Sequence, residues 1–186
     1  MFRLFLTILV FMQSGLFFAQ DPLVPNSQVL SGGDNNEASP ASADAVVAGG
    51  DYNKANATHA AVLGGKNNEV TTNHSIIGGG EFNSTGGHYS FIGGGQNNKT
   101  SNQFAAVVAG GGSVAGDAND ASGKRSIVGA GQKNLAGGED SGVFSGFDND
   151  ITVNGKTGFI GGGKLNIVQA DAASICGGHD NRILAK

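Results

Sequence analysis

A short tandem repeat is the feature that most restricts how this chain can fold. Two apolar residues, one small residue, Gly-Gly, two variable residues and Asn recur ten times between residues 27 and 183. The plainest copies are 76–83, 91–98 and 159–166, and looser copies begin at Val29, Val46, Ala61, Val107, Ile127, Val143 and Ser174. Successive copies start 15 to 20 residues apart. A unit this short cannot enclose a core of its own, so the repeat predicts one coil of a stacked solenoid.

The residue types in each copy predict an all-β, parallel β-roll of about ten coils. The apolar pair lies in a short run rich in Val, Ile and Phe, which is typical of a brief strand. The Gly pair ends that strand where the backbone turns or takes a positive φ, and only Ala130 and Phe147 depart from it. A second strand, with one inward side chain, is predicted two positions after the Asn, at Ala38, Ala55, Val70, Thr85, Thr100, Ala136, Thr152 and Val168.

The repeated Asn predicts a ladder of side-chain amides along the solenoid. An Asn at the same place in every coil can hydrogen-bond to the coils on either side and satisfy the backbone of the turns. Val114 and Asp150 stand at this place in two copies and are predicted to interrupt the ladder. The ladder residues are Asn36, Asn53, Asn68, Asn83, Asn98, Asn134, Asn166 and Asn181.

The apolar pair also makes a prediction about the surface. Neighbouring strand residues point to opposite faces, so in Ile76-Ile77 one side chain enters the core and the other leaves it. Ten coils would then present a continuous apolar stripe, which self-association around a symmetry axis would bury. The alternative is a strand kinked at Gly, with both side chains turned inward.

The first nineteen residues have the pattern of a secretory signal peptide. Arg3 precedes an apolar stretch from Leu4 to Phe11, and Ala19 is a plausible end of the leader. A membrane anchor would need about 20 apolar residues, and this run is shorter and interrupted. The expected organisation is a signal peptide at 1–19, a linker at 20–26, the repeat domain at 27–183 and a tail at 184–186. The mature protein is therefore predicted to be secreted or extracellular, with no membrane span.

Composition excludes several other classes. Gly makes up 33 of 186 residues, but it does not fall at every third position and Pro is scarce, which excludes collagen. The content of Val, Ile and Phe argues against wholesale disorder. Lys and Arg together number 11 against 15 Asp and Glu, so no basic excess favours nucleic acid. Cys176 is the only cysteine and cannot form an intrachain disulfide.

No catalytic, cofactor or metal site stands out from the repeat. The Gly clusters lack the Lys-Ser/Thr of a phosphate loop, and the period and the Asn differ from those of calcium-binding nonapeptide repeats. His59 and His74 are predicted to stack on adjacent coils, and together with His88 and Asp44 they are the one set with metal-ligand chemistry. The same position holds Tyr89, Ala105 and Arg125 further along, which favours a variable solvated position. No enzyme activity is predicted.

Three further features concern single residues. Cys176 and His179 could suggest a thiol nucleophile, but Cys176 stands where other copies have Gly and is expected to pack there. Asn56 and Asn73 lie in acceptor patterns for N-glycosylation and outside the predicted ladder. The longest interval between copies predicts an excursion at 116–123, a candidate contact surface or a tolerated insertion.

The repeats resemble the head domain of trimeric autotransporter adhesins, the YadA-like head. The segment Ser90-Phe91-Ile92-Gly93-Gly94-Gly95-Gln96-Asn97-Asn98-Lys99-Thr100 is a close match, and the resemblance covers residues 27 to 183. It implies a left-handed β-roll, three chains packed side by side, and attachment to host or matrix surfaces. The sequence contains no heptads of the stalk and no strands of the membrane anchor that such adhesins carry. The Asn-Ser-Val-Ala-Ile-Gly form of the repeat is also missing, so collagen binding is not carried over.

The sequence thus predicts a secreted or surface adhesion or binding module, non-catalytic, without a cofactor, and homotrimeric. Its partner would be an extracellular protein or glycan surface. Two alternatives remain at this point. One is a monomeric solenoid that binds a repetitive surface such as glycan, mineral or ice, and the other is a structural matrix or coat subunit.

Overall fold

The protein is an all-β solenoid of about ten coils, with about 15 residues in each coil. The computed structural model describes residues 17–19, 28–39 and 44–185. Within these ranges the only helical segment is a single 3-10 turn at Ala115–Asp117, and no helix is long and apolar enough to span a bilayer. Most of the predicted signal peptide and linker lies outside the described residues, except that Phe17–Ala19 forms a strand.

Each coil contributes one short strand to each of two sheets, which enclose the core. Sheet A has the order Phe17–Ala19 (β1), Gln28–Ser31 (β2), Val46–Val47 (β4), Ala61–Val62 (β6), Ile76–Ile77 (β8), Phe91–Ile92 (β10), Ala106–Val107 (β12), Ile127–Val128 (β14), Gly142–Val143 (β16), Phe159–Ile160 (β18) and Ser174–Ile175 (β20). Sheet B has the order Glu37–Ala38 (β3), Lys54–Ala55 (β5), Glu69–Val70 (β7), Ser84–Thr85 (β9), Lys99–Thr100 (β11), Asp120–Ala121 (β13), Leu135–Ala136 (β15), Asp150–Ile151 (β17), Ile167–Val168 (β19) and Arg182–Ile183 (β21). All described pairings are parallel except that of β1 with β2.

From β3 to β21, the core is filled by the second residue of each strand. Ile77 and Ile92 from sheet A and Val70 from sheet B are fully buried. The first residue of each of these strands faces outward, as the two-residue period of a strand requires. The core is therefore one side chain thick from each sheet, and the larger Ile and Val residues of sheet A face many Ala and Thr residues of sheet B.

The strand register differs from the sequence prediction in three coils. The pairs begin at Gln28, Ala106 and Gly142, one residue before the predicted Val29, Val107 and Val143. Gln28 and Gly142 do not look like the start of an apolar pair, so hydrophobicity alone placed these copies one residue late. With the correct register Gly146, not Phe147, takes the turn position, and Ile151, not Thr152, is the buried residue of β17.

An Asn ladder runs along the solenoid at one corner. In Asn83, Nδ2 donates to the carbonyl oxygens of Gly79 at 3.0 Å and of Gly95 in the next coil at 2.9 Å. Its Oδ1 accepts the backbone N–H of Asn98 at 2.9 Å. The same kind of bonding joins the other predicted Asn residues from Asn36 to Asn181 to the coils beside them. Each amide thus ties the turn of its own coil to its neighbours.

The predicted interruptions of this ladder are wrong. Asn119 occupies the place assigned to Val114, and Asn149 occupies the place assigned to Asp150. Both are fully buried and bond on each side as the other ladder residues do. Their common signal was the 15-residue distance of each from Asn134.

Gly is required at the turn that precedes each ladder Asn. Gly80 has φ 90°, and a Cβ added there would overlap the carbonyl oxygen of Gly95 in the next coil. Both the positive φ and the close approach of two backbones exclude a side chain.

Two corners of most coils hold residues other than Gly in the left-handed conformation. We call the corner before the ladder Asn the first corner, with Asn35, Tyr52, Asn67, Phe82, Asn97, Lys133, Asp148, Leu165 and Asp180. The second corner, before sheet A, has Asp44, His59, His74, Tyr89, Phe104, Arg125, Asp140, Thr157 and Ala172. This conformation costs about 1–2 kcal/mol per residue. A hydrogen bond to the preceding coil, such as Phe82 N–H to the Lys66 carbonyl at 3.0 Å, offsets part of it.

The ladder makes a direct prediction about stability. Asn83→Ala would remove the donor to the Gly79 and Gly95 carbonyls and leave the buried Asn98 N–H without its acceptor, so we expect the free energy of unfolding to fall by about 2–4 kcal/mol. Chemical denaturation followed by circular dichroism measures the change. Asn154→Ala, at an exposed position without a hydrogen bond in the described chain, is the control and should change stability by less than about 0.5 kcal/mol. Equal losses in the two variants would contradict the structural role of the ladder.

Candidate functional site

The outer face of sheet A is apolar along most of the solenoid. We define this face as the outward residues of its strands together with three residues just after them: Val46, Ala61, Ile76, Phe91, Ala106, Ile127 and Phe159, with Leu63, Val108 and Phe144. Ile76 and Phe91 are 41% and 43% exposed, whereas Ile77 and Ile92 beside them are fully buried. The predicted outward stripe is therefore present, and the alternative with both side chains inward is wrong.

Large side chains on this face pack beside its Gly residues and against each other. The rings of Phe91 and Phe159 lie beside Gly93 and Gly161, close enough that a Cβ on either Gly would contact the ring at 3.4 Å. Phe144 and Phe159 contact each other with ring centroids 5.4 Å apart. Coils with Ala or Gly at the outward position carry a large exposed side chain two residues later, at Leu63, Val108 or Phe144. Every coil from Ala61 to Phe159 therefore has a large apolar side chain on this face.

Sheet B presents the opposite character. Its outward positions include Lys54, Glu69, Ser84, Lys99 and Asp120, and oppositely charged residues face each other in the registers of Lys54 with Glu69 and Lys99 with Asp120. Lys54, Ser84 and Lys99 are compatible with contact with water. Of the two outer faces in the described part of the chain, that of sheet A carries the large exposed apolar side chains.

A column of stacked rings lies at the second corner. His59 and His74 stack with centroids 4.6 Å apart, as predicted, and Tyr89 and Phe104 continue the column at 4.7 and 5.2 Å. The prediction of Ala105 in this column is wrong, because Phe104 holds the left-handed corner while Ala105 is buried. Asp44 Oδ2 lies 3.3 Å from His59 Nε2.

The column consists of aromatic rings that stack from one coil to the next. His88 precedes Tyr89 and is not a member of the ring column. Across residues 17–19, 28–39 and 44–185, no three His, Cys, Asp or Glu side chains are grouped so that they could hold a metal ion. Beyond Phe104 the corner continues with Arg125, whose guanidinium donates to Asp140 and Glu139.

The excursion in the longest repeat lies at 112–118, earlier than the predicted 116–123. It includes the 3-10 turn, and the chain has returned to the ladder at Asn119 and to sheet B at Asp120. Beside it is an open cleft of about 340 Å³, lined by Ala115, Ala118, Asp120, Lys133, Asn134, Leu135, Asp148 and Asp150. Lys133 Nζ and Asp148 Oδ2 form an ion pair of 2.7 Å at its rim.

Two carboxyl groups in this cleft have perturbed titration. Burial raises the pKa of Asp120, although Lys99 and a hydrogen bond from Ser101 act against this rise. Burial and the nearby Asp148 both raise the pKa of Asp150, and Asp150 Oδ1 is buried without a hydrogen-bond partner in the described chain. The cleft therefore disfavours the charged form of Asp150.

The structure also shows the surroundings of Cys176 and of the two predicted glycosylation sites. Cys176 follows β20 at the position of Gly161, but it is exposed and not packed as expected, because this position faces outward. Of the two predicted glycosylation sites, Asn73 accepts the Thr58 N–H through Oδ1 at 3.2 Å, whereas Asn56 Oδ1 is buried without a hydrogen-bond partner among the described residues. Glycosylation at either residue remains a prediction.

Comparison with known proteins adds no relative: the sequence matches no protein-family model and no curated protein.

The raised pKa of Asp150 predicts that replacing this residue increases stability in a pH-dependent way. The folded state holds the Asp150 proton more tightly than the unfolded state. Protonation of Asp150 therefore stabilises the fold fully below the ordinary pKa of 3.8, and this stabilisation is lost as pH rises through the higher pKa of the folded state. We expect Asp150→Asn to melt at a higher temperature than the parent at pH 7, with the difference shrinking as pH approaches 3.8.

Thermal unfolding at several pH values measures this effect. Asp171→Asn is the control, since an Asn oxygen can keep the bond from the Ala172 N–H, and its effect should not follow the same pH course. A stability loss of Asp150→Asn at pH 7 would contradict the assigned role of burial.

Proposed function

We propose that this chain is a non-catalytic adhesion or binding module that is secreted or displayed at the cell surface and assembles as a homotrimer. The outer face of sheet A carries the proposal, because large apolar side chains such as Phe91 and Phe144 are about half exposed along one side of the solenoid. A soluble protein rarely leaves so long an apolar surface uncovered. A second and a third copy of the same chain are the simplest cover.

The repeat itself favours self-association. Two copies have the same coil height, so their outward rows stay in step along the whole contact. Every coil from Ala61 to Phe159 offers a large apolar side chain, either at the outward strand position or two residues after it. Apolar side chains at the same coil height in each copy would therefore be buried together over many coils. Three copies, not two, follow from the resemblance to adhesin heads.

The remaining parts of the proposal rest on the sequence. The signal-like segment at 1–19 supports export to the cell exterior. The ladder Asn side chains are all engaged in bonds between coils, so they support a structural and not a chemical role. The rigid rod would then present its polar sheet and corners to an extracellular protein or glycan.

Mass in solution tests the assembly. Light scattering on a sizing column should give three times the chain mass for the purified protein, and Ile76→Lys should shift it toward the monomer because a buried unpaired charge is costly. Ile167→Lys places the same substitution on the outer side of sheet B, next to Asp150 in the register, and should leave the trimer intact.

Two outcomes would contradict the proposal. A stable monomer at micromolar concentration would favour a solenoid that binds a repetitive surface, and glycan, mineral and ice would be assayed directly. Filaments that grow with concentration would favour the structural matrix or coat subunit.

A further inference from the structure

An open slot interrupts the row of side chains at the first corner. Tyr52 and Phe82 stand there two coils apart, each about half exposed, and Asn67 stands between them. The space has a volume of about 210 Å³ and is lined by Tyr52, Lys54, Asn67, Asn68, Glu69 and Phe82. Residues with the same left-handed backbone hold the rings on both sides, so the walls are fixed by the coil geometry.

The second corner shows how wide this slot is. There, rings in adjacent coils lie 4.6 to 5.2 Å apart and fill the column without a gap. Tyr52 and Phe82 are separated by two coil heights, about 10 Å at 4.8 Å per coil. The slot therefore has the thickness of one missing ring, and the shorter side chain of Asn67 leaves its outer part empty.

The edge of the slot carries polar groups that the protein does not use. The half-buried Asn67 side chain makes no hydrogen bond within the described chain. Lys54 and Glu69 are direct neighbours in the register of β5 and β7, yet no ion pair joins them, whereas Lys133 and Asp148 do form one at 2.7 Å. Asn68 forms the floor, with its amide committed to the ladder. An ammonium, a carboxylate and an amide thus surround an apolar gap.

We propose that this slot binds one pyranose ring of a glycan. A pyranose offers two C–H faces for the Tyr52 and Phe82 rings and a rim of hydroxyl groups for Lys54, Asn67 and Glu69. Carbon atoms in contact lie 3.5–4.0 Å apart, and a spacing of about 4.8 Å on each side suits a puckered ring. A flat aromatic ligand would leave the polar rim unpaired, which is unfavourable in a binding site.

The inference deepens the proposed binding function by naming the class of ligand, but it does not depend on the trimer. The slot lies at the edge of sheet B, whose outer side faces away from the apolar face of sheet A. Binding can therefore be measured whatever the oligomeric state. Light scattering on the same samples separates the two proposals, because sugar binding by a monomer would reject the trimer alone, and a trimer without sugar binding would reject the slot alone.

Saturation-transfer NMR on the full chain tests the slot with methyl pyranosides as probes. The set contains the methyl glycosides of glucose, galactose, mannose, N-acetylglucosamine and glucuronic acid. We expect at least one to bind through its ring C–H protons with a dissociation constant on the order of 1 mM, which suits a ligand of this size. If none of the five binds, or if indole binds and the pyranosides do not, the proposal is overturned.

Two variants remove the slot in opposite ways. Asn67→Phe should complete a closed ring column like that of the second corner and weaken sugar binding at least tenfold, with no loss of thermal stability. Phe82→Asn removes one wall and should weaken binding to a similar extent; Asn97 shows that the corner accepts Asn. Phe104→Asn removes a ring from the closed column and should leave sugar binding unchanged. Unchanged binding in Asn67→Phe or Phe82→Asn would overturn the assignment.

Discussion

The hydrogen bonds of the ladder Asn side chains are the constraint on which the rest of the structure depends. From Asn53 to Asn166, each amide joins a carbonyl of its own turn to a Gly carbonyl of the next coil, so it fixes the shape of the turn and the distance between coils together. Gly80 and its equivalents are needed because the two backbones meet without room for a Cβ. Since burial of an unpaired amide is costly, these bonds also exclude a shift of one residue between coils. As a consequence, all the remaining side chains also stack in register from coil to coil.

This stacking converts single-residue differences into surface features. At the second corner, a ring in four successive coils gives the column from His59 to Phe104. At the first corner, the same backbone holds Tyr52, Asn67 and Phe82, and the one short side chain leaves a slot. On sheet A, Gly142 has no outward side chain, and the side chains of Ile127 and Phe144 lie close to the place that a Cβ there would take. The fold is thus a uniform frame, and the variable positions decide what each side can contact.

The amino-acid sequence predicted the architecture of the coil correctly but misplaced the strand register in some coils. The class of fold, the strand at each apolar pair and the inward and outward alternation followed from residue type and period. Errors arose where the signal was a spacing and not a chemical type: Gly142 opens a strand although it is not apolar, and Asn119 continues the ladder after an inserted loop. The slot could not be predicted, because no sequence pattern marks a left-handed corner that accepts Phe82, Asn67 and Lys133 alike. Three-dimensional neighbours alone show that Tyr52 and Phe82 face a common gap.

The two corners of the coil differ in how the energetic cost of their left-handed backbone is offset. An aromatic residue in the left-handed conformation costs about 1–2 kcal/mol, and Asn is among the residues that tolerate it best. In the second-corner column, contact between neighbouring rings returns part of this cost. Tyr52 and Phe82 have the same strained backbone, but the shorter side chain of Asn67, and not a third ring, lies between them. A ligand ring in the slot would supply the missing contact, just as another copy of the chain would cover Ile76 and Phe91 on sheet A. The proposed assembly on sheet A and the proposed glycan slot at the edge of sheet B would not compete, because the coil keeps the two outer faces apart.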